Sequence, residues 1–292
     1  MRPGRGTPRP YDAGVRAGDR RFGGFRQPVA IAFGLLFLLP LWFLVAGSFR
    51  EPGTVPPRTP ELVPRPVSAQ SYADAFELVD LGRYLLNSLA VAALTVPPAV
   101  VVASWAGFAL LLLAGRTRLV LLAVSFAALM IPVTALLVPR FTLYRWLGLT
   151  DTWVPLVAPA LLGLSPFYVL LFYWSFRRLP TELFEAARLE DTRPFTMWRR
   201  LAMPLVRPVT VAVALLAFIA SWGNFLDPLV YLFDPDLYTL PLGLRSLSVL
   251  DRTNYPVLLA AAVVATAPVV LAFAVAQRFF LHEDRGAGWL GR

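Results

Sequence analysis

The sequence contains no cysteine, no lysine and a single histidine, His282. Without thiols the chain can form neither a disulfide nor a thiolate metal site, and one histidine cannot build a multi-histidine metal site. The absence of lysine excludes a Gly-x-x-x-x-Gly-Lys-Ser/Thr phosphate loop, because the lysine of that loop contacts the phosphates of a bound nucleotide. We therefore expect this chain to bind no metal, no redox centre and no nucleotide.

Charged residues are also scarce, at 15% of the chain, whereas an ordinary soluble domain carries about 25%. Hydrophobic residues make up 57% of the sequence and are gathered into six stretches that hold no charge. A helix needs about 17 to 25 residues to cross the hydrocarbon core of a bilayer. The sequence therefore predicts an all-α membrane protein with six transmembrane helices, in the windows 27–49, 84–115, 119–139, 152–176, 208–226 and 253–277.

All 27 basic residues are arginines, and the chain has a formal net charge of +9. On a soluble chain this charge would suggest a nucleic-acid partner. In a membrane protein, positive charge is retained on the cytoplasmic side, and a cytoplasmic N-terminus places 19 arginines inside and 8 outside. We therefore expect both termini in the cytoplasm, a multi-pass protein in the lipid bilayer of a bacterial cell membrane, and no nucleic-acid partner.

The segments between the windows divide the chain further. The Arg, Gly and Pro-rich N-terminus has little to bury, which predicts disorder, and the first window is too long for a cleaved signal peptide. Six prolines between residues 50 and 69 exclude a helix there, and an amphipathic stretch follows. The predicted organisation is a disordered cytoplasmic tail at 1–26, a first transmembrane helix at 27–49, an extracytoplasmic connector with an amphipathic segment at 50–83, a core domain with five transmembrane helices at 84–279, and a cytoplasmic tail at 280–292.

The cytoplasmic loop 177–207 is long enough to fold by itself, and its pattern predicts two short helices. Pro180 and Thr181 can begin the first helix, and Pro194 can occupy the first turn of the second. Pro204 is expected to end the second helix. The apolar stripe of the first helix consists of Leu183, Phe184, Ala187 and Leu189.

This loop resembles the EAA loop of ABC importer permeases. The resemblance rests on Glu185-Ala186-Ala187, a turn near Asp191 and the ending Leu201-x-Met203-Pro204. The family has a glycine where this chain has Asp191, and a leucine where it has Met203. Aspartate tolerates a left-handed backbone, so we expect the bend to survive, and methionine is nearly volume-neutral for leucine.

The resemblance implies the type I permease fold and a helix that docks in a cleft of a separate ATPase chain. It implies that Glu185 offers charge to the ATPase and that Phe184 and Leu189 supply apolar surface. The full set of coupling residues that it implies is Phe184, Glu185, Ala186, Ala187, Leu189, Asp191 and Pro204.

Further segments resemble the carbohydrate, maltose-type branch of these permeases, and the resemblance extends over residues 70–292. They are Asn87-Ser88-Leu89, Met130-Ile131-Pro132, Val138-Pro139, Trp222-Gly223-Asn224-Phe225, and the C-terminal Gln277–Phe280 with Arg285–Gly288. In the family the C-terminal tail lies near the ATPases, which makes Gly286 and Gly288 candidates for a contact there.

The implied assembly contains a second homologous permease subunit, two ATPase subunits that bind ATP and magnesium, an extracytoplasmic solute-binding protein and a carbohydrate substrate. Glycerol phosphate and polyamines remain alternative solutes. A gradient-driven secondary transporter would need an acid within a span, and an intramembrane enzyme would need a nucleophile with a base, or metal ligands. No window contains an acid, a histidine or a cysteine.

Polar residues within the spans are the candidates for a translocation cavity, because polar groups are expensive in the membrane. The candidates to face the cavity are Asn87, Ser104, Thr134, Ser175, Ser221, Asn224 and Asp227. Trp222 and Tyr173 are the candidate stacking surfaces for a sugar ring. We expect Asp227, which follows the fifth window, to lie at the outer interface, where a charge costs little.

Overall fold

The computed structural model describes residues 19–57, 61–163, 165–250 and 254–280, with side chains from residue 27 to residue 279. All regular secondary structure in the described part of the chain is helical. Its α-helices are α1 (Asp19–Ser48), α2 (Gln70–Leu78), α3 (Leu81–Leu112), α4 (Gly115–Leu129), α5 (Leu137–Trp146), α6 (Val154–Leu161), α7 (Pro166–Arg177), α8 (Thr181–Leu189), α9 (Pro194–Met197), α10 (Met203–Leu205), α11 (Arg207–Trp222), α12 (Leu226–Tyr231), α13 (Leu240–Leu250) and α14 (Tyr255–Phe280). Short 3-10 segments lie at Val133–Leu136 and Pro235–Leu237, and a π-helical turn lies at Trp198–Ala202.

The membrane spans agree with the six predicted windows. Four are Gln27–Ser48, Leu81–Leu112, Val154–Arg177 and Tyr255–Phe279. The third window corresponds to a helix pair bent by 88°, and the fifth window to α11, which follows the second helical piece of the cytoplasmic loop after a bend of 87°; counting each pair as one span gives six. The all-α prediction with six spans is therefore confirmed, although the third window does not form the simple straight helix that hydropathy suggests.

The bend in the third span lies at Met130-Ile131-Pro132, between α4 and the 3-10 turn. A residue before proline is driven out of the helical region, so Ile131 cannot continue α4. The 15 residues of α4 are only about 22 Å long, shorter than the hydrocarbon core of a bilayer. The chain beyond the bend therefore turns aside, and α5 brings Arg140 towards the bundle.

The first helix begins earlier than predicted. It starts at Asp19, so helical backbone extends into the segment 1–26 that was expected to be disordered. Once the apolar part of a helix has formed, each added residue gains a hydrogen bond without a new nucleation step. Residues 1–18 and 281–292 lie outside the described residues.

The centre of the bundle is α3, which contacts α6, α7, α11 and α13. Small residues on α3 allow this approach, as is usual where membrane helices pack. At Gly107 an added Cβ would lie 2.8 Å from the Phe172 Cβ and 2.9 Å from both Tyr173 N and Val169 O on α7. The α3–α7 contact therefore depends on the missing side chain at Gly107.

The outer helices carry the apolar surface expected of a lipid contact. Helix α1 packs on α14, and most of its apolar side chains point away from the protein. None of the residues of α4 is buried. Lipid tails are as apolar as these side chains, so the exposed surface is stable in a membrane but would be unfavourable in water.

The connector and the amphipathic segment agree with the prediction. The described residues between 50 and 68 contain no helix, and α2 follows with Ser71 and Ala75 buried. Trp42 donates its indole N–H to the carbonyl of Leu62 at 2.9 Å, and Arg50 pairs with Glu61 at 2.8 Å. These contacts hold the connector against the end of α1.

On the same side of the bundle as the connector, the loop between α12 and α13 is held by side chains from other elements. Asp151 has a left-handed backbone (φ 59°), and its carboxylate accepts the backbone N–H groups of Phe233 and Asp234, both at 2.9 Å. The hydrogen bonds from Asp234 and Phe233 lower the pKa of Asp151 below its ordinary value. Trp153 adds a hydrogen bond to the carbonyl of Leu237 at 3.0 Å.

Candidate functional site

The cytoplasmic loop folds as two helical pieces joined by a tight turn at Asp191. The N–H of Thr192 bonds to the carbonyl of Ala187 at 3.0 Å, and the N–H of Asp191 bonds to the carbonyl of Arg188 at 3.1 Å. This pair of bonds is the Schellman arrangement, which needs a left-handed residue after the helix cap. Asp191 has φ of 50°, so the predicted left-handed bend is confirmed.

One face of α8 packs on the chain's own core. Phe184 is 8% exposed, Ala187 is buried, and the Phe184 ring lies 6.0 Å from the ring of Phe108 on α3. Its expected contact with a partner stays a prediction, and in this chain Phe184 packs on the core. The helical period places it opposite the outward face, and its burial fixes α8 to the bundle.

The opposite face of α8 is open. Glu182, Glu185, Ala186 and Leu189 recur at helical spacing, and all four are exposed. Leu189 is 89% exposed. An apolar side chain in this position beside two carboxylates is typical of a docking surface.

The second helical piece does not end at Pro204. It runs from Pro194 through the π-helical turn to Leu205, and the chain then bends by 87° into α11. In the π-helical turn the N–H of Met203 bonds to Trp198, five residues back. This wider turn lets the helix accommodate the proline ring, which would clash with a carbonyl in a regular α-helix.

The loop has a second attachment to α3. Trp198 donates its indole N–H to the hydroxyl of buried Ser104 at 3.2 Å, and its ring lies 5.6 Å from that of Trp105. Both helical pieces of the loop are therefore joined to the same central helix. The sequence analysis did not predict this attachment, which joins residues far apart in the chain.

A cavity of about 310 Å³, with mainly apolar walls and a few polar groups, lies between the bent third span and the fifth span. Its lining includes Arg140, Asn224 and Asp227, together with the hydroxyl-bearing Ser165, Tyr168 and Ser221. Of the predicted cavity residues, Ser221, Asn224 and Asp227 are part of this lining, and Asn87, Trp222 and Tyr173 are not.

These last three residues are packed elsewhere. Asn87 donates both amide hydrogens to the carbonyls of Asp236 and Tyr238, at 2.8 and 2.9 Å. Trp222 is buried and donates its indole N–H to the carbonyl of Ala265 at 3.0 Å. Tyr173 lies in the core beside Phe172. A polar or aromatic residue in a span indicates a partner, but that partner is often another helix or a loop.

The charged centre of the cavity is an ion pair that the sequence analysis missed. Arg140 Nη1 lies 3.3 Å from Asp227 Oδ1, and the two side chains are only 19% and 15% exposed. Asn224 donates to the same carboxylate at 3.0 Å. The expected position of Asp227 at the outer interface stays a prediction. The one signal available for the pair was the presence of opposite charges after the third and fifth windows, on the same side of the membrane.

The C-terminal candidates Gly286 and Gly288 lie outside the described residues. The remaining geometry combines an exposed face of α8 on one side of a bent-helix bundle with a cavity between its spans. The family profile of the binding-protein-dependent transport system inner membrane component matches residues 99–286. The chain belongs to this family.

Similar proteins cover nearly the whole chain. The arabinooligosaccharides transport system permease protein of Halalkalibacterium halodurans is 31% identical, over 86% of this chain and 90% of that protein. The diacetylchitobiose uptake system permease protein of Streptomyces coelicolor is 28% identical, over 89% of this chain and 86% of that protein.

A solved bacterial ABC transporter, involved in the import of the acidic polysaccharide alginate, contains a similar fold. The TM-score is 0.74 at 21% identity, and the match covers 90% of this chain and 98% of the other. Together these similarities make this chain the inner-membrane permease subunit of a binding-protein-dependent ABC importer. It is a transport subunit and not itself an ATPase, since ATP is hydrolysed by a separate chain.

Proposed function

We propose that this permease moves a carbohydrate, an oligosaccharide or a related sugar, into the cell. Support comes from the relatives, two of which are named for arabinooligosaccharides and diacetylchitobiose. Support also comes from the cavity, where hydroxyl, amide and charged groups converge among apolar walls. Such a mixture suits a sugar, which has polar edges and apolar faces.

The outward face of α8 is the proposed contact with the ATPase. Glu185 and Leu189 offer a charge and an apolar anchor, and Ala186 between them permits close approach. Asp191 and Pro204 shape the loop without offering the contact themselves. Gly286 and Gly288 remain proposed as a second contact from the tail.

Movement of the ATPase reaches the bundle through the two attachments to α3. Phe184 packs on Phe108, and Trp198 bonds to Ser104. Because α3 contacts α6, α7 and α11, displacement of the loop is transmitted to the helices that line the cavity. ATP-driven approach of two such loops would shift the permease pair from inward-open to outward-open.

The proposed assembly contains a second homologous permease, two ATPase subunits and an extracytoplasmic solute-binding protein. Docking of the loaded binding protein biases the same equilibrium as ATP, because each ligand shifts populations by its differential affinity. The sugar then enters the cavity and leaves on the cytoplasmic side after hydrolysis.

The single observation that carries this mechanism is the outward face of α8, held rigidly by its buried side. The test is co-purification of the tagged chain with candidate ATPase and permease subunits, followed by ATPase and uptake assays in lipid. Glu185→Arg should reduce ATPase binding and uncouple ATP hydrolysis from uptake. Glu77→Arg, an exposed glutamate reversed on α2, is the matched control.

Two outcomes would overturn the proposal. Coupled uptake at the wild-type rate in Glu185→Arg would remove the docking face from the mechanism. Uptake of glycerol phosphate or a polyamine, with no stimulation by any sugar-loaded binding protein, would replace the carbohydrate by one of these solutes.

A further inference from the structure

The charged groups of Arg140 and Asp227 lie farther apart than those of a tight ion pair. The two contacts between guanidinium and carboxylate are 3.3 and 3.4 Å, whereas a tight charge-assisted pair closes at about 2.7–2.9 Å. Arg140 also reaches the carbonyl of Pro155 at 3.4 Å, and its Nε–H has no partner among the described residues. Both charged groups therefore retain hydrogen-bonding capacity towards the cavity.

The carboxylate is nevertheless held in place. Asn224 donates to Asp227 Oδ2 at 3.0 Å, and the backbone N–H of Asp227 donates back to the Asn224 side chain at 3.2 Å. The guanidinium of Arg140 lies 5.7 Å from the centroid of the Tyr231 ring, which supports it from one side. A donor and an acceptor are thus held side by side in fixed positions.

The surrounding wall adds further polar groups. The hydroxyls of Ser165, Tyr168 and Ser221 line the cavity and have no hydrogen-bond partner in the described part of the chain. Arg140 and Asp227 are the only charged side chains among the lining residues that the structure describes, so the site carries no net charge. An unpaired arginine here would instead attract anions strongly, because the cavity walls have a low dielectric constant.

We propose that Arg140, Asp227 and Asn224 form a binding site for vicinal hydroxyl groups of a neutral sugar, and that the charge balance of the pair selects against anionic solutes. This inference rests on the proposed carbohydrate import. One sugar hydroxyl donates to the carboxylate of Asp227, and its neighbour accepts from the guanidinium of Arg140. A carboxylate only accepts and a guanidinium only donates, so adjacent hydroxyls match the pair in both directions.

The test uses the assembled complex of this chain with its partner permease and ATPase, in nanodiscs and without the binding protein. Omitting the binding protein ensures that the measured specificity belongs to the membrane subunits. Equilibrium binding is measured for trehalose and for trehalose 6-phosphate, which differ by the phosphate group. Diacetylchitobiose and an arabinotriose serve as further neutral probes.

The decisive variant is Asp227→Asn, which keeps the shape of the side chain but leaves Arg140 unpaired. Affinity for the neutral sugar should fall about tenfold, since a hydrogen bond to a charged group is lost. The ratio of phosphorylated to neutral sugar binding should rise at least tenfold. In Arg140→Gln/Asp227→Asn the site is neutral again, so the neutral sugar should still bind weakly while the gain for the phosphate disappears.

The exposed pair between Arg83 and Asp236 supplies the matched control. Asp236→Asn removes one negative charge and breaks an ion pair outside the cavity, and it should leave both affinities unchanged. If Asp227→Asn does not assemble, the double variant is measured in its place. Neutral-sugar binding by the double variant at the full wild-type affinity would overturn the proposal.

The result also separates this inference from the proposed function. A wild-type complex that takes up none of the sugars with any loaded binding protein would overturn both. If the wild-type complex takes up a neutral sugar but Asp227→Asn has an unchanged selectivity ratio, only the binding site is overturned. The Arg140–Asp227 pair would then be a structural contact between α5 and the α11–α12 junction.

Discussion

The ring of Phe184 on α8 lies 6.0 Å from the ring of Phe108 on α3, centroid to centroid. Phe108 in turn makes an edge contact with Phe176 on α7 at 5.7 Å. These three rings join the cytoplasmic loop to the two most closely packed helices of the bundle. The rings are therefore one of the side-chain contacts that join the loop to α3, beside the Trp198–Ser104 hydrogen bond.

Phe184→Ala should uncouple the transporter without removing the exposed docking face. Loss of a buried phenylalanine costs about 3–5 kcal/mol in a well-packed core, so the loop should loosen from α3. The measurement is uptake per ATP hydrolysed, together with the apparent melting temperature of the complex. Phe167→Ala, at a half-exposed position on α7, is the control and should change neither quantity. Full coupling in Phe184→Ala would contradict this path.

Gly107→Ala should separate α3 from α7. The new Cβ would meet backbone atoms at 2.9 Å, and backbone cannot move aside as a flexible side chain can. Overpacking of this kind costs about 1–3 kcal/mol, seen as a lower melting temperature of the purified complex. Gly34→Ala on α1, where nothing lies within 4 Å, should be neutral or slightly stabilising. Equal effects at the two positions would be inconsistent with the close approach.

Asp191→Gly should stabilise the loop. A left-handed backbone costs an L-residue about 1–2 kcal/mol, and glycine avoids that cost. Asp191→Val should destabilise the loop, because a branched Cβ is poorly tolerated at positive φ. Hydrogen exchange at the Asp191 and Thr192 amides measures both effects, and Asp191→Ala isolates the contribution of the carboxylate. Slower opening in the valine variant would refute the account of the turn.

The outer loop should weaken at acidic pH through Asp151. Its carboxylate accepts two backbone N–H bonds, which lower its pKa in the folded state below the ordinary value of 3.8. The stabilisation is therefore present above pH 3.8 and is lost as the pH falls through the lowered folded value. Hydrogen exchange at the Phe233 and Asp234 amides, corrected for intrinsic rates, should show protection that declines in that range. In Asp151→Asn the protection should be weaker at neutral pH and independent of this titration.

Local properties of the sequence predicted much of the fold. The six windows were found because span length and apolarity are summed over neighbouring residues, and the bilayer imposes both. The turn at Asp191 was predicted from the residues around it, since a left-handed bend is a local steric choice. The sizes of the bends at Pro132 and before α11 were not predicted, because each depends on what the freed helix ends pack against.

The site was predicted less completely. The loop was recognised from Glu185, Ala186, Ala187 and the turn, but the packing of Phe184 against Phe108 within this chain was not predicted. Asn224 lines a cavity between the spans, whereas Asn87 and Trp222 bond to backbone carbonyls of other segments. Polarity within a span shows that a partner exists and does not say which one.

The sequence by itself determined that the chain is a membrane protein with six spans, and that it carries a loop resembling the EAA loop of ABC importer permeases. Each of these follows from composition, spacing or a short motif, and none requires contacts between distant residues. Only the tertiary structure decided that α8 turns Phe184 inward and Leu189 outward, and that Arg140 meets Asp227, 87 residues further along the chain. Such pairings depend on the distances between packed helices, and a linear pattern does not contain those distances.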